Sequence, residues 1–376
     1  MSGQEGWRIE VVDSLQGLEH GRDEWGALFS QAKLAHPALH YDWFALWYAL
    51  FESAQHVRII VLRQQDGQLR AVFPGIVQKR RFAGLSARCF SYAANGYSPC
   101  GSIIARAGDQ EAVRAIIDAS LRVIRPEPHL VLLPEVSDDS ETAQVIEGRG
   151  LQNVGLRVEH AKEVSFIAFD EGWESYYAER SCKKRSGLQK KLNKLNKIGP
   201  LEFTVFAAPE HSGEAIERLQ RLDGLTWQGQ QGTGLFSTPD NEGFYRRLLS
   251  FADPGLGVRL YLATVNADDI AYSLTLRSAN VCYGLKMGYD PQYGRYSPGS
   301  LTMCHFLEQA AGEGVEVVDM GPDSNREKRE LETHRLRYRN WWLFNRRTVR
   351  GCLLESATRF HDLGRKKNKD VGQDER

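Results

Sequence analysis

The segment Tyr289 to Gly321, YDPQYGRYSPGSLTMCHFLEQAAGEGVEVVDMG, gathers residue types that can hold an anion and move a proton. Ser297, Pro298 and Gly299 stand where a helix is expected to begin. Serine suits the N-cap, because its hydroxyl can accept a backbone N–H bond. Proline suits the first helical position, where its missing N–H is not needed. Glycine lets another group come close to the backbone. The N–H groups of Gly299, Ser300 and Leu301 would then face outward, and the helix dipole adds about 0.3–1 kcal/mol for an anion at this end. A phosphate-bearing acyl carrier is one candidate occupant; an ordinary capped helix is the plain alternative. Asp319 closes the strand expected at 315–320, at its carboxyl end, where ligand sites in open α/β sheets gather. It can act as a general base, cap the helix expected at 323–333, or pair with an Arg or Lys.

A second group of residues could hold an anion. Arg180 to Lys197 carries eight basic residues and no acid. Leu188, Leu192, Leu195 and Ile198 recur at helical spacing, so one face packs and the other is cationic. Most such faces are simply solvated. Here Lys183, Lys184 and Arg185 are candidates for an anionic acceptor, an acidic acyl carrier protein, or tRNA.

The whole chain bounds these readings. It has 376 residues, 42% hydrophobic and 26% charged, with 48 basic and 48 acidic side chains. That suits a soluble protein of two domains, and zero net charge confines any basic surface to a local patch. The six cysteines form no CxxC pair and match no metal spacing, so reduced thiols and no metal are expected. No leader sequence and no membrane-length apolar run is visible, which makes a cytoplasmic protein the expectation.

The elements that must position these residues read as mixed α/β. Strands are expected at 7–12, 57–63, 69–78 and 129–136, with helices at 18–31, 41–53, 111–124 and 139–149. The helix at 41–53 carries Trp43, Phe44, Trp47, Tyr48 and Phe51, a stripe that belongs to a core. The pattern restarts with a strand at 164–170, a long basic helix at 173–198, a strand at 201–207 and a helix at 209–227. A loop at 228–240 and a helix at 241–252 follow. Three strands come next (258–265, 270–277, 281–288), then a helix at 299–312, a strand at 315–320 and a last strand at 336–345. This gives an N-terminal domain over 1–162, a second over 163–355, and a polar tail at 356–376 expected to be disordered.

The order of these elements resembles the GNAT acyltransferases, and more narrowly their FemAB-like and CelD-like branch, which joins two GNAT-type domains in one chain. Four stretches carry the resemblance: Tyr41-Asp42-Trp43-Phe44; Arg180 to Arg185; Gly288-Tyr289-Asp290-Pro291 followed by Tyr296-Ser297-Pro298-Gly299; and Asp319-Met320-Gly321 with Lys328 downstream. The family often has Tyr-Lys after the final acid, whereas this chain has Glu327-Lys328. The resemblance implies tandem domains, each a mixed, largely antiparallel twisted sheet flanked by helices. It implies an EC 2.3.1-type acyltransferase working by direct attack, with acyl-CoA, acetyl-CoA foremost, as co-substrate. Met287, Gly288 and Tyr289 would pair with the donor's pantetheine arm, and Ser297 to Leu301 would hold its phosphates. Asp319, Tyr283 and Lys328 become the catalytic candidates. The amine acceptor is expected on a small metabolite, a sugar or a polysaccharide precursor. The rival readings are an aminoacyl-tRNA-dependent transferase and a non-catalytic acyl-carrier-binding protein.

Overall fold

A computed structural model describes residues 6–13, 17, 21–33, 35–51, 56–82, 84–95, 98, 100–148, 150–252, 255–322 and 324–359. The chain divides into two compact units. One takes Met1–Lys33, Glu52–Lys162 and Arg337–Arg376; the other takes Leu34–Phe51 and Glu163–Leu336. The aromatic helix at 41–51, early in the sequence, therefore belongs to the second unit, and the strand after 337 to the first. Of the expected tail, 356–359 is helical and 360–376 lies outside the described residues.

The first unit is a sheet of β1 (Arg8–Val12), β2 (Val57–Arg63), β3 (Leu69–Phe82), β4 (Leu85–Tyr92), β6 (Leu130–Ser137), β13 (His334–Asn345) and the start of β7 (Val154–Ala168), in that order. The short β5 (Ile104–Ala105) pairs with β3. From β1 to β13 the pairing is antiparallel except for β4 with β6. The continuous apolar run of β6 is buried, as a central strand requires. Helix Gln110–Ser120, capped by Asp109, lays Val113, Ile116 and Ile117 against β2 and β3. Strand β4 has no counterpart in the sequence reading, because LSARCFSY alternates too weakly to stand out.

The second unit orders its strands β7, β12 (Val317–Asp319), β11 (Val281–Tyr289), β10 (Asp268–Ser278), β9 (Gly257–Val265) and β8 (Leu201–Ala207). Neighbours are antiparallel except for β11 with β12. Helix Pro298–Gly312 packs on β9, β10 and β11. The aromatic stripe is core: Trp43 meets Phe244 edge-on at 5.6 Å, and Phe51 meets the same ring at 5.5 Å.

The expected helix at 173–198 is two helices, Gly172–Glu179 and Cys182–Leu195. Arg180 turns extended, and the Ser181 hydroxyl accepts the Lys184 N–H at 3.2 Å, restarting the helix with its own cap. Leu188, Leu192 and Leu195 bury against Ala263, Ile270 and Leu301, whereas Ile198 is exposed, past the helix end. The helix expected at 323–333 shrinks to Arg326–Arg329. Short helix also enters the expected loop, at Trp227–Gln230.

Candidate active site

Strands β11 and β12 pair only through Val281, Cys282 and Tyr283 against Val317, Val318 and Asp319. Two local features then part them. The β10–β11 register slips between Leu274 and Thr275, leaving Leu285 as an extra residue; such a bulge bends and twists its strand. On the other side β12 stops, and Gly321 adopts a φ of 84°. A Cβ at Gly321 would stand 2.5 Å from the Gly284 carbonyl oxygen, so the close approach of the two segments requires glycine. Beyond Tyr283 the β12 side of β11 has no strand partner among the described residues.

The parted strands leave a cavity of about 390 Å³. Gly284 to Tyr289 form one wall, Met303 and Phe306 of helix Pro298–Gly312 a second, and Met320, Asn325, Glu327 and Lys328 a third. A second cavity of about 580 Å³ opens between the Cys182–Leu195 helix and the start of helix Pro298–Gly312. Lys183, Lys184, Lys191 and Arg326 line it, with Ser297, Ser300, Glu327 and Glu330. Glu327 borders both cavities. Its carboxylate accepts a hydrogen bond from the Ser300 hydroxyl. Burial holds its carboxyl above the usual glutamate range, Lys184 acting the other way and Glu330 with it.

Asp319 is set apart from both cavities. It is 1% exposed and accepts the Gly321 N–H at 2.7 Å. Its other oxygen lies 3.2 Å from Nε2 of His36. His36 caps the turn Pro37–Leu39, where its Nδ1 accepts the Ala38 N–H at 3.1 Å. An Nδ1 that accepts leaves the ring proton on Nε2, so His36 donates to Asp319. The Tyr283 ring sits 5.1 Å from the His36 ring. The result is a buried clasp: His36, Asp319, the Gly321 turn and Tyr283.

The structure therefore sorts the candidates of the sequence. Met287, Gly288, Tyr289 and Lys328 reach the cavity between the parted strands; Ser297, Ser300, Lys183 and Lys184 reach the basic one. Lys328 donates to the carbonyls of Gly321 at 3.2 Å and Pro322 at 2.6 Å, tying the clasp's turn to the cavity wall. Asp319, Tyr283, Pro298, Gly299, Leu301 and Arg185 line neither cavity. Leu301 packs in the core, and Arg185 donates to the Arg180 carbonyl at 3.1 Å.

Ser297 corrects an expectation. Its φ is 53° and its hydroxyl caps nothing in the helix. The preceding turn Pro291–Tyr296 runs straight into the helix, so Ser297 must take the left-handed conformation that links them. A Cβ at Gly299 would stand 3.4 Å from the Tyr289 ring and 3.8 Å from the Met287 sulfur.

The sequence reading missed His36 and the placement of Glu327. His36 had no signal, since its partner lies far along the chain. Glu327 had one, as the residue standing where the family often has tyrosine. Burial pushes the Cys282 and Cys304 thiols up to about 12, so neither offers a ready thiolate. Among the described residues no cluster of three or more His, Cys, Asp or Glu is placed to hold a metal, and no helix is long and apolar enough to cross a membrane.

Residues 182–329, which contain both cavities' main walls, match the acetyltransferase (GNAT) domain family. The chain carries a GNAT-type acetyltransferase domain. The fold of the whole chain has solved relatives. FemX aligns with a TM-score of 0.57 at 12% identity, over 84% of this chain and 95% of that one. The C-terminal domain of a lysylphosphatidylglycerol synthetase from Agrobacterium fabrum aligns at 0.54 and 12% identity, over 90% and 96%. L-PGS from Bacillus licheniformis aligns at 0.54 and 14%, over 91% and 96%. At these identities the likeness establishes the fold. No curated protein sequence matches the chain. In the GNAT-type domain the parted strands β11 and β12 and the helix that follows β11 are the elements that enclose the candidate site.

Proposed function

We propose that this GNAT-type domain transfers an acyl group, acetyl foremost, from acyl-CoA to an amine by direct attack. The observation that carries the reading is the pair of neighbouring cavities that share Glu327 in their lining. A CoA-type donor is a phosphate-rich head on a slender arm that ends in a thioester. The basic cavity suits the head, with Lys183, Lys184, Lys191 and Arg326 as counter-charges. The cavity between the strands suits the arm, since the unpartnered side of β11 can add an extended chain as a further strand. Met303, Phe306 and Met320 would shield the arm from water.

The donor supplies an activated carbonyl at the end of its arm. The chain's part is to align that carbonyl with the amine and to accept the amine's proton. Asp319 in the clasp shapes the Gly321 turn and through it the position of Lys328. The acceptor, whether a small metabolite, a sugar or a polysaccharide precursor of the CelD-like kind, enters from outside the two cavities. Work in the cytoplasm belongs to the same proposal.

The test is a thiol-release assay with acetyl-CoA against a panel of amines, preceded by thermal shift with acetyl-CoA and CoA. Stabilisation with thiol release supports the transferase. Stabilisation without release across the panel favours a non-catalytic carrier-binding protein.

A second reading has one observation of its own. The exposed face of the Cys182–Leu195 helix is cationic and borders the basic cavity, and an aminoacyl-tRNA donor would use such a face. That reading expects tRNA binding that weakens steeply with salt, and no response to CoA.

A further inference from the structure

Glu327 stands where the two cavities meet, and it brings a carboxylate to a place built of positive charge. Lys183, Lys184 and Lys191 share the basic cavity with it from the Cys182–Leu195 helix, and Cys304 of helix Pro298–Gly312, itself near Glu308, lies within reach of its charge. Arg326, Lys328 and Glu330 flank it on its own segment. Lys184 is engaged elsewhere, 3.2 Å from the Glu330 carboxylate. The Glu327 carboxylate accepts a hydrogen bond from the Ser300 hydroxyl, a neutral donor. A donor molecule with its head in one cavity and its arm in the other must pass this carboxylate. Its phosphates then add negative charge beside a group that burial already favours in the protonated form.

We propose that binding of a phosphate-bearing donor is coupled to uptake of one proton by Glu327, which makes this residue a selective gate on the donor. The inference rests on the donor reading above and deepens it. The proton comes from solvent and returns to it when the donor leaves. Linkage sets the sign: a ligand that prefers the protonated gate binds more tightly as pH falls.

The probe is dephospho-CoA, whose pyrophosphate does not titrate near neutrality, with pantetheine as the arm that lacks phosphate. Calorimetry between about pH 5.5 and 8, in buffers of different ionisation enthalpy, reads both affinity and proton uptake. For the wild-type protein, dephospho-CoA should bind about tenfold tighter at the acid end than at the alkaline end, with measurable proton uptake. Pantetheine affinity should be flat with pH. In Glu327→Gln, dephospho-CoA should bind at every pH as tightly as wild type does at the acid end, with no uptake. The wild-type proton count needs no variant, so a poorly folded Glu327→Gln leaves the test standing. Binding without proton uptake, or uptake that persists in Glu327→Gln, overturns the gate and leaves the donor reading intact. If neither probe binds, the donor reading fails and the gate with it.

Discussion

Asp319 closes β12 and Glu327 lies on the segment that follows it, yet they do opposite things. Asp319 is 1% exposed and holds two N–H donors, from His36 and Gly321. Glu327 faces two cavities and holds one hydroxyl. A carboxylate supplied with N–H donors on both oxygens is fully engaged in holding the fold together. A carboxylate on a cavity wall, with one hydroxyl as its donor, stands where a bound molecule can act on its charge. The difference teaches that strand-end position alone does not mark the reactive acid. Access to the cavity and the number of donors decide.

The largest expected effect tests whether the cavity does the binding at all. Gly284 has room for a Cβ, its nearest neighbour being the Met320 carbonyl at 3.5 Å. A phenyl ring there must lie in the space between the parted strands. Gly284→Phe should weaken CoA binding, and thiol release with it, by at least about 100-fold. Overpacking should cost no more than about 1–3 kcal/mol of stability, read by denaturant unfolding. Nearly unchanged CoA affinity would remove the cavity from the donor site and level the contrast between the two acids.

The next effect separates clasp from cavity. Asp319→Ala removes the buried acceptor of the His36 Nε2–H and the Gly321 N–H, a loss of about 1–3 kcal/mol in unfolding free energy for each bond. Glu327→Ala, on a cavity wall, should stay within about 0.5 kcal/mol of wild type. Activity per folded molecule sharpens the point. If Asp319 is the base, Asp319→Asn should lose about 10²–10⁴ in turnover. If it is the clasp, the loss should remain under about tenfold while stability still falls by about 1–3 kcal/mol.

The contrast also explains what was legible in the sequence. Elements with a local cause were readable: the apolar run of β6, the aromatic helix at 41–51, and the helix opening at Pro298. The three consecutive strands β9, β10 and β11 were readable because turns of Asn, Asp and Ala separate them. The break in the basic helix at Ser181 was not, because a single cap competes there with a long helical pattern. At the site, the β11 wall and the two lysines were legible from order and charge. The partner of Asp319 was not, because His36 reaches it through a fold that brings 34–51 into the second unit. Glu327 could be noticed only as a departure, since its meaning depends on which cavities the parted strands leave.

A smaller effect tests the basic cavity. Truncating Lys183 and Lys184 together to alanine should weaken CoA binding about tenfold at low salt. The gap from wild type should narrow toward about 1 M salt, because these are partly exposed charges. Clasp variants should show no such salt dependence. A gap that is equally wide at both salt concentrations would mean that the lysines act by packing.

The smallest effect is in stability, and it again sets Glu327 against Asp319. Burial raises the Glu327 carboxyl above the ordinary value of 4.5, the nearby Glu330 adds to the rise, and Lys184 opposes it. The folded chain therefore keeps this proton over a pH range in which the unfolded chain has lost it. Stability contributed by the site is present below the ordinary value and falls as pH rises toward the folded one. Above that window the cost of the buried charge is complete. Glutamine never ionises, so Glu327→Gln should be more stable than wild type at pH 7.5, by about 0.5–1 kcal/mol, a gain in Tm of about 1–4 °C. The gain should shrink as the pH is lowered toward 5. Asp319→Asn should lie below wild type across the same range, since its cost is a lost acceptor for His36 or Gly321 and not a buried charge. Should Glu327→Gln prove less stable than wild type at pH 7.5, the Ser300 hydrogen bond outweighs the burial of charge, and Glu327 joins Asp319 as a structural acid.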